Sequence, residues 1–269
     1  MTPLQNKLLD MLEWYCEFCK KHKLNYYVTG GTLLGAARHK GFIPWDDDID
    51  VCMPRPDYDM FIMLTKNIGG KYYVDSPYDN SQDYLCTYTK IYDTTTTLIE
   101  TGRYPIVRGV FIDVFPVDGA GNTIDSAISY YKKKIDPIKM FHMARITTVR
   151  EGRSIGKNVF ITATHLVPDW ILDNRTLAKK VDEKCKARSY NNFEIVGNLM
   201  STYREKSIFP KSIIGEYSEM EFEGIVVKGV QDYDAFLSLF YGDWRKLPPK
   251  EKQVTTHDFI KLDLTTPYK

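Results

Sequence analysis

The chain has 269 residues, 43% of them hydrophobic and 26% charged, with a formal net charge of +1. That length buries a sizeable apolar interior unaided, and the composition excludes disordered, collagen-like and membrane-spanning classes. A net charge near zero excludes a global field that recruits nucleic acid, so no nucleic-acid partner is expected.

The five cysteines, Cys16, Cys19, Cys52, Cys86 and Cys185, are odd in number and scattered, which points to free thiols in a reducing compartment, the cytoplasm. Cys16 and Cys19 form a CxxC without the second pair that a zinc site needs, so a structural role is expected. The opening MTPLQNKLLDML lacks the continuous apolar stretch of a signal peptide. No later run approaches the roughly 20 apolar residues that span a bilayer.

Between Leu4 and Lys23 apolar residues recur at helical spacing, from Leu4, Leu8, Met11 and Leu12 to Tyr15, Phe18 and Cys19, which predicts a packing helix. Tyr26 to Thr29 is rich in strand formers. The Gly30-Gly31-Thr32 turn then opens a helix from Leu33 to His39. A strand feeding a glycine turn and a helix start gathers backbone N–H groups and the positive end of the helix dipole, where a phosphate can sit.

Asp46, Asp47, Asp48 and Asp50 follow the loop Gly41 to Pro44. Carboxylates this crowded repel one another unless a cation neutralises them. Asp48-Ile49-Asp50-Val51 alternates as a strand does, which puts Asp48 and Asp50 on one face, spaced to share a Mg²⁺. Asp46 and Asp47 are expected to support the site or to brace the loop. A helix from Asp57 to about Asn67 and strands at Tyr72 to Val74, Leu85 to Tyr92 and Thr97 to Glu100 come next. Lys90 sits on the middle strand, either as a solvated edge charge or as a phosphate contact.

Gly109 to Pro116 reads as an apolar strand with Asp113 embedded in it. A buried carboxylate demands a cationic partner or a metal. Asp118 to Asn122 is expected to lead out of the sheet. Tyr130 to Lys157 is the one charge-biased region, with Lys132, Lys133, Lys134, Lys139, Arg145, Arg150, Arg153 and Lys157 among aromatic and apolar residues. It predicts basic helices, lying either on an anionic membrane surface or in solvent. His142 and His165 are expected to be structural. Asp173 to Tyr190 predicts a surface helix, Glu221 to Val227 a hairpin, and Gln231 to Phe240 an amphipathic helix closed by Gly242. His257 falls in a polar tail.

The blocks GGTLLGAARHKGFIPWDDDIDVCMPRPDY and GVFIDVFPVDG, then FEG, YGDW, LPP and a histidine, resemble the LicD family of phosphotransferases, relatives of the fukutin-related proteins. The match is collinear from about Tyr27 to His257. The resemblance implies an α+β fold, a nucleotidyltransferase-like mixed sheet flanked by helices. It would comprise a catalytic core over 1–120, a helical basic segment over 121–190 and a C-terminal α/β extension over 191–269 packing on the core.

It also implies transfer of phosphocholine from CDP-choline, or a related CDP donor, to a hydroxyl of a cell-surface glycan precursor, free or lipid-linked, with release of CMP. Asp48, Asp50 and Asp113 would act as catalytic residues and hold one or two Mg²⁺ ions, with Mn²⁺ as the alternative metal. Gly30, Gly31 and Thr32 would hold the donor phosphate, helped by Arg38, Lys40 and Lys90. A quaternary ammonium offers no hydrogen-bond donor and needs aromatic walls, for which Trp45, Tyr104 and Phe115 are the candidates. The expected location is the cytoplasm, against the inner face of the membrane, with peripheral contact through 130–157. The rivals are the same fold with another cargo (glycerol phosphate, ribitol phosphate or a nucleotidyl group), a glycosyltransferase using its Asp-x-Asp, and a non-catalytic scaffold. The acidic motif arrives directly after a Gly-Gly turn, which disfavours the glycosyltransferase, and the complete set of acids disfavours the scaffold.

Overall fold

In the computed structural model, which describes residues 1–79, 85–104, 106–255, 257 and 259–268, the chain begins with α1, Pro3–His22. The Thr2 hydroxyl accepts the Gln5 N–H at 3.1 Å while the Gln5 side chain accepts the Thr2 N–H at 2.9 Å, a reciprocal cap that satisfies two orphan donors. Leu8, Met11, Leu12, Tyr15 and Cys19 turn inward. The cysteines are free thiols, and burial pushes Cys16 up to about 11 and Cys19 up to about 12.

β1 (Tyr27–Val28), α2 (Gly30–His39), β2 (Asp50–Pro54), α3 (Arg55–Thr65), β3 (Tyr72–Asp75), β4 (Thr89–Asp93), β5 (Thr97–Glu100), β6 (Ile106–Arg108) and β7 (Phe111–Gly121) follow. The central sheet has the order β1-β2-β7-β4-β3. β2 and β7 run parallel and the other neighbours antiparallel. Beyond it come α4 (Ile124–Tyr130), a π-helical turn over Tyr131–Ile135, α5 (Asp136–Ile146), α6 (Ile155–His165) and α7 (Asn174–Lys186).

β8 (Ile195–Gly197) and β9 (Ile208–Pro210) extend the sheet from the far half of β7. β10 (Ser218–Phe222) and β11 (Ile225–Gly229) form a hairpin turned by Glu223 and Gly224 at φ 49 and 85, the left-handed pair that matches strand twist. α8 (Tyr233–Tyr241) is capped by the Asp232 side chain and ends at Gly242, φ 65. β12 (Phe259–Asp263) returns to pair with β5 in a second sheet, β12-β5-β6. The architecture is the expected α+β one, and its C-terminal residues are hydrogen-bonded into the first half of the chain.

Several boundaries differ from the sequence expectation. The Gly30-Gly31-Thr32 turn is itself the first turn of α2. β2 starts at Asp50, leaving Asp48 in the approach loop. The strand expected from Leu85 begins only at Thr89. β7 does not stop at Pro116 but runs to Gly121, because β8 supplies partners for Asp118 and Gly119.

α7 is no surface helix: Leu177, Ala178, Val181 and Cys185 form an apolar stripe among its lysines and are buried. Within the basic segment Lys132, Lys133, Lys134, Arg150 and Lys157 are exposed as expected, but two of its cations are not. Lys139 points inward, its ammonium donating to the Ser201 carbonyl at 2.6 Å, and buried Arg145 donates to the Thr164 and Val167 carbonyls at 2.7 and 2.8 Å. Burial lowers Lys139 to about 8.

Buried Arg55, at the start of α3, ties three elements together. Its guanidinium grips Asp118 of β7 at 2.7 and 2.8 Å and Asp182 of α7 at 2.7 Å. The Tyr78 hydroxyl donates to the other Asp182 oxygen.

His142 is fully buried in α5 with neither ring nitrogen hydrogen-bonded, and burial lowers it from the usual 6.5 to about 4. Between those values the unfolded chain holds the extra proton. Stability is therefore full above pH 6.5 and falls as pH drops toward 4, by about 3 kcal/mol from this group. His142→Leu should lose less in urea midpoint than the parent protein between pH 7.5 and 5. Equal losses would show that His142 does not contribute.

Candidate active site

The site is built on the middle of the sheet. Asp50 of β2 stands opposite Asp113 of β7, and Asp113 opposite Lys90 of β4, so strand register sets all three in one row on one face. Lys90, buried, comes within 3.0 Å of Asp113 Oδ1 and 3.9 Å of Glu100. The contact with Oδ1 is an ion pair rather than a well-aimed hydrogen bond, since that oxygen has no hydrogen-bond partner. The Tyr88 hydroxyl donates to Asp113 Oδ2 at 3.1 Å. Burial alone would lower Lys90, but Asp113 and Glu100 hold it above the ordinary lysine range. Asp113 thus has the cationic partner its burial demanded, and Lys90 has its charge committed to that carboxylate.

The loop before β2 brings the other acids. The Gln5 amide donates to the Asp46 carbonyl at 3.0 Å and pins the loop to α1. Asp47 Oδ1 lies 2.7 Å from His257 Nδ1 and Asp47 Oδ2 takes the Thr255 hydroxyl, while His257 Nε2 is 3.7 Å from Asp48. The hydrogen bond to Asp47, joined by the charges of Asp48 and Asp47, raises His257 to about 9 against the effect of burial. Burial followed by the Asp48 and Asp47 charges raises Asp46 to about 8. Asp50 is pushed well above the carboxylate range by burial and by Asp48, Asp113 and Asp46. These carboxylates are short of positive charge.

Gly30 and Gly31 leave room for them. A Cβ on Gly30 would stand 2.7 Å from Asp50 Oδ2, and one on Gly31 2.5 Å from Asp46 Oδ2; Gly30 also has φ +57, a conformation that costs other residues energy. The acids therefore face the N-terminal turn of α2 at close range. Thr32 is buried and accepts the Asp50 N–H at 2.9 Å, fastening α2 to β2.

Two cavities open here. One of about 210 Å³ is lined by Asp48, Asp50, Asp113, Tyr88, Phe115 and Tyr203, among others. A second of about 560 Å³ is lined by Gly31, Arg38, Trp45, Asp46, Tyr241 and Trp244, among others. Gly30, Asp48, Asp50 and Tyr203 belong to both. The structure thus brings Asp48, Asp50 and Asp113 to one cavity, with Gly30, Phe115 and, next door, Gly31, Arg38 and Trp45. Arg38 donates to the Trp244 and Lys246 carbonyls at 2.8 and 3.2 Å. Lys40 is exposed beyond α2 and lines neither cavity. Tyr104 is apart from both, its hydroxyl donating to Asp169 at 2.9 Å.

Among the described residues, ligand oxygens of Asp46, Asp47 and Asp48 all lie within 4.8 Å of one another. A set of oxygen donors held this close, with the proton affinities of Asp46 and Asp48 raised chiefly by burial and that of Asp47 lowered, against burial, by its hydrogen bonds with His257 and Thr255, fits a hard divalent cation. His257, Tyr203, Tyr241 and Trp244 were not singled out from the sequence as site residues. A lone histidine and aromatics in a loosely patterned region give no periodic signal, and the excess of acids around Asp46 to Asp50 was the one sign that cations must arrive from elsewhere.

Residues 23–150 match the family model described as LicD/FKTN/FKRP, nucleotidyltransferase domain. Over 260 residues, 93% of this chain and 92% of the relative, it is 32% identical to the lipopolysaccharide cholinephosphotransferase LicD of Haemophilus influenzae. The chain belongs to the LicD family. A 41-residue stretch, 15% of the chain, is 46% identical to uncharacterized proteins of Rickettsia prowazekii and Rickettsia typhi, covering 15% and 13% of those proteins respectively.

Proposed function

We propose that this protein transfers phosphocholine from CDP-choline to a hydroxyl of a cell-surface glycan precursor and releases CMP. The observation that carries the chemistry is the convergence of Asp48, Asp50 and Asp113 on one aromatic-lined cavity at the N-terminus of α2. Similarity to a cholinephosphotransferase along nearly the whole chain supports the cargo.

In this reaction the acceptor oxygen attacks the phosphorus that carries choline, and the bridging oxygen leaves with CMP. The protein's work is positioning and charge control. The α2 N-terminus, bare of side chains at Gly30 and Gly31, presents backbone N–H groups to a donor phosphate. Asp48 and Asp50, with Asp113 or the loop carboxylate of Asp46, would hold Mg²⁺, which when bound supplies neutralisation of the transferring and leaving oxygens. Asp113 takes the acceptor proton, with the Tyr88 hydroxyl bonded to it as a second proton carrier. Lys90 fixes the Asp113 carboxylate in place. The test is a panel of CDP donors with Mg²⁺, read as CMP release. CMP from CDP-choline is expected, and its loss with EDTA. CMP only from CDP-glycerol or CDP-ribitol would reassign the cargo, and pyrophosphate from an NTP would reassign the reaction.

Contact with a membrane surface belongs to the same proposal, through the exposed lysines of 130–157 and the helix that follows them. Among the described residues no helix is long and apolar enough to cross a membrane. α6 leaves Ile155 and Val159 exposed, Leu166 at its C-terminal cap is exposed as well, and Trp170 follows at 85% exposure. Exposed aliphatics with tryptophan and Lys157 suit a bilayer interface. Trp170→Ser should lower co-sedimentation with anionic vesicles several-fold; equal recovery for both proteins would retire this contact.

A further inference from the structure

The two cavities divide the donor between them. We infer that the smaller one, between the Tyr88–Phe115 and Tyr203–Phe240 ring pairs, takes the choline trimethylammonium, and that the larger one takes the CMP half. This rests on the proposed use of CDP-choline and specifies which end lies where.

Size is the first argument. The smaller cavity, about 210 Å³, falls below the roughly 300 Å³ at which ordinary small-molecule clefts begin. It is too tight for a nucleotide and suits a five-carbon cation. The larger, about 560 Å³, has room for base, ribose and phosphate.

Lining chemistry points the same way. Tyr88 and Phe115 meet at 4.2 Å between centroids on the sheet side, and Tyr203 and Phe240 meet edge to face at 5.3 Å on the C-terminal side. All four line the smaller cavity together with Asp113. A quaternary ammonium cannot be hydrogen-bonded, so ring faces and nearby carboxylates are what can recognise it. The neighbouring cations are already paired, Lys90 with Asp113 and Glu100, and His257, which also lines this cavity, with Asp47 and Asp48. The larger cavity instead carries Arg38, which donates to the Trp244 and Lys246 carbonyls, the exposed Lys246 beside Asp243, and Trp45 and Trp244, cations at its rim for phosphate and planar faces for a base.

The shared residues complete the case. Gly30, Asp48, Asp50 and Tyr203 line both spaces, so a donor lying through them sets its pyrophosphate beside the carboxylates and the start of α2.

The test compares Phe115→Leu and Phe240→Leu, from opposite walls, with Trp244→Leu. A folding defect in one wall variant leaves the other to decide. KM is measured for CDP-choline and CDP-ethanolamine, and inhibition constants for CMP. Either wall variant should raise the KM for CDP-choline about threefold to thirtyfold, the range of one cation–ring contact, shrink the preference over CDP-ethanolamine, and leave CMP inhibition unchanged. Trp244→Leu should weaken CMP and both donors alike. The reverse pattern, or unchanged discrimination in the wall variants, overturns the assignment while the proposed reaction stands. A parent protein that turns over another CDP donor but not CDP-choline overturns the reaction itself.

Discussion

Asp50→Ala is expected to cut CMP release by about a thousandfold or more, the upper end of what one charge-stabilising group contributes, and to raise the thermal midpoint of the metal-free protein. Both effects have one cause. Asp50 sits among Asp46, Asp48 and Asp113, and burial with their charges lifts its proton affinity far above normal. Without a cation that cluster is a source of strain in the fold; with one it becomes the place where charge developing on phosphate oxygens is balanced. Asp48→Ala should behave alike in turnover, since Asp48 lines the same two cavities. Circular dichroism should show an intact fold. Turnover within a few-fold of the parent protein in either variant would refute the role assigned to these carboxylates.

Arg55→Ala is expected to have the largest effect on stability, a loss of about 3–5 kcal/mol. Removing the guanidinium takes the cationic partner from Asp118 and leaves Asp182 to the Tyr78 hydroxyl and the Lys186 ammonium 3.4 Å away, both acids being inaccessible to solvent. Burial raises the Asp118 carboxyl against the pull of Arg55, while Asp118 and Asp182 hold Arg55, against burial, well above its usual range; in such a buried ion group the attraction goes largely to offset desolvation. The penalty therefore falls on breaking the group rather than on lacking it. Arg55→Met combined with Asp118→Leu and Asp182→Leu should recover much of the loss. A denaturant midpoint for Arg55→Ala close to that of the parent protein would show that the group contributes little.

How much of this was legible in the sequence depends on the kind of signal each element leaves. The α1 stripe, the β10–β11 hairpin and the Gly242 stop are written locally, and they appear where periodicity and turn chemistry place them. The row of Asp50 and Asp113 was legible because a single acid inside an apolar run stands out at once. Asp48 was read as sharing a strand face with Asp50. It reaches the same cavity from a loop, held there by the Gln5 amide on the Asp46 carbonyl and by His257 beside Asp47 and Asp48, contacts that no local pattern reveals. Lys139, Arg145 and Lys90 were harder still, since charged residues read as solvated until distant partners are known, here the carbonyls of Ser201, Thr164 and Val167 and the carboxylate of Asp113. Arg55 and Asp182 lie far apart in sequence and meet only because α7 packs against the end of β7.

The most direct measurement of the central claim is phosphorus NMR of the protein incubated with CDP-choline, Mg²⁺ and a lipopolysaccharide glycan acceptor. The account predicts that CMP appears together with an equal amount of a new choline phosphodiester on the glycan, and that Asp50→Ala forms neither. CMP accompanied only by free phosphocholine, or no consumption of CDP-choline while an NTP releases pyrophosphate, would contradict it.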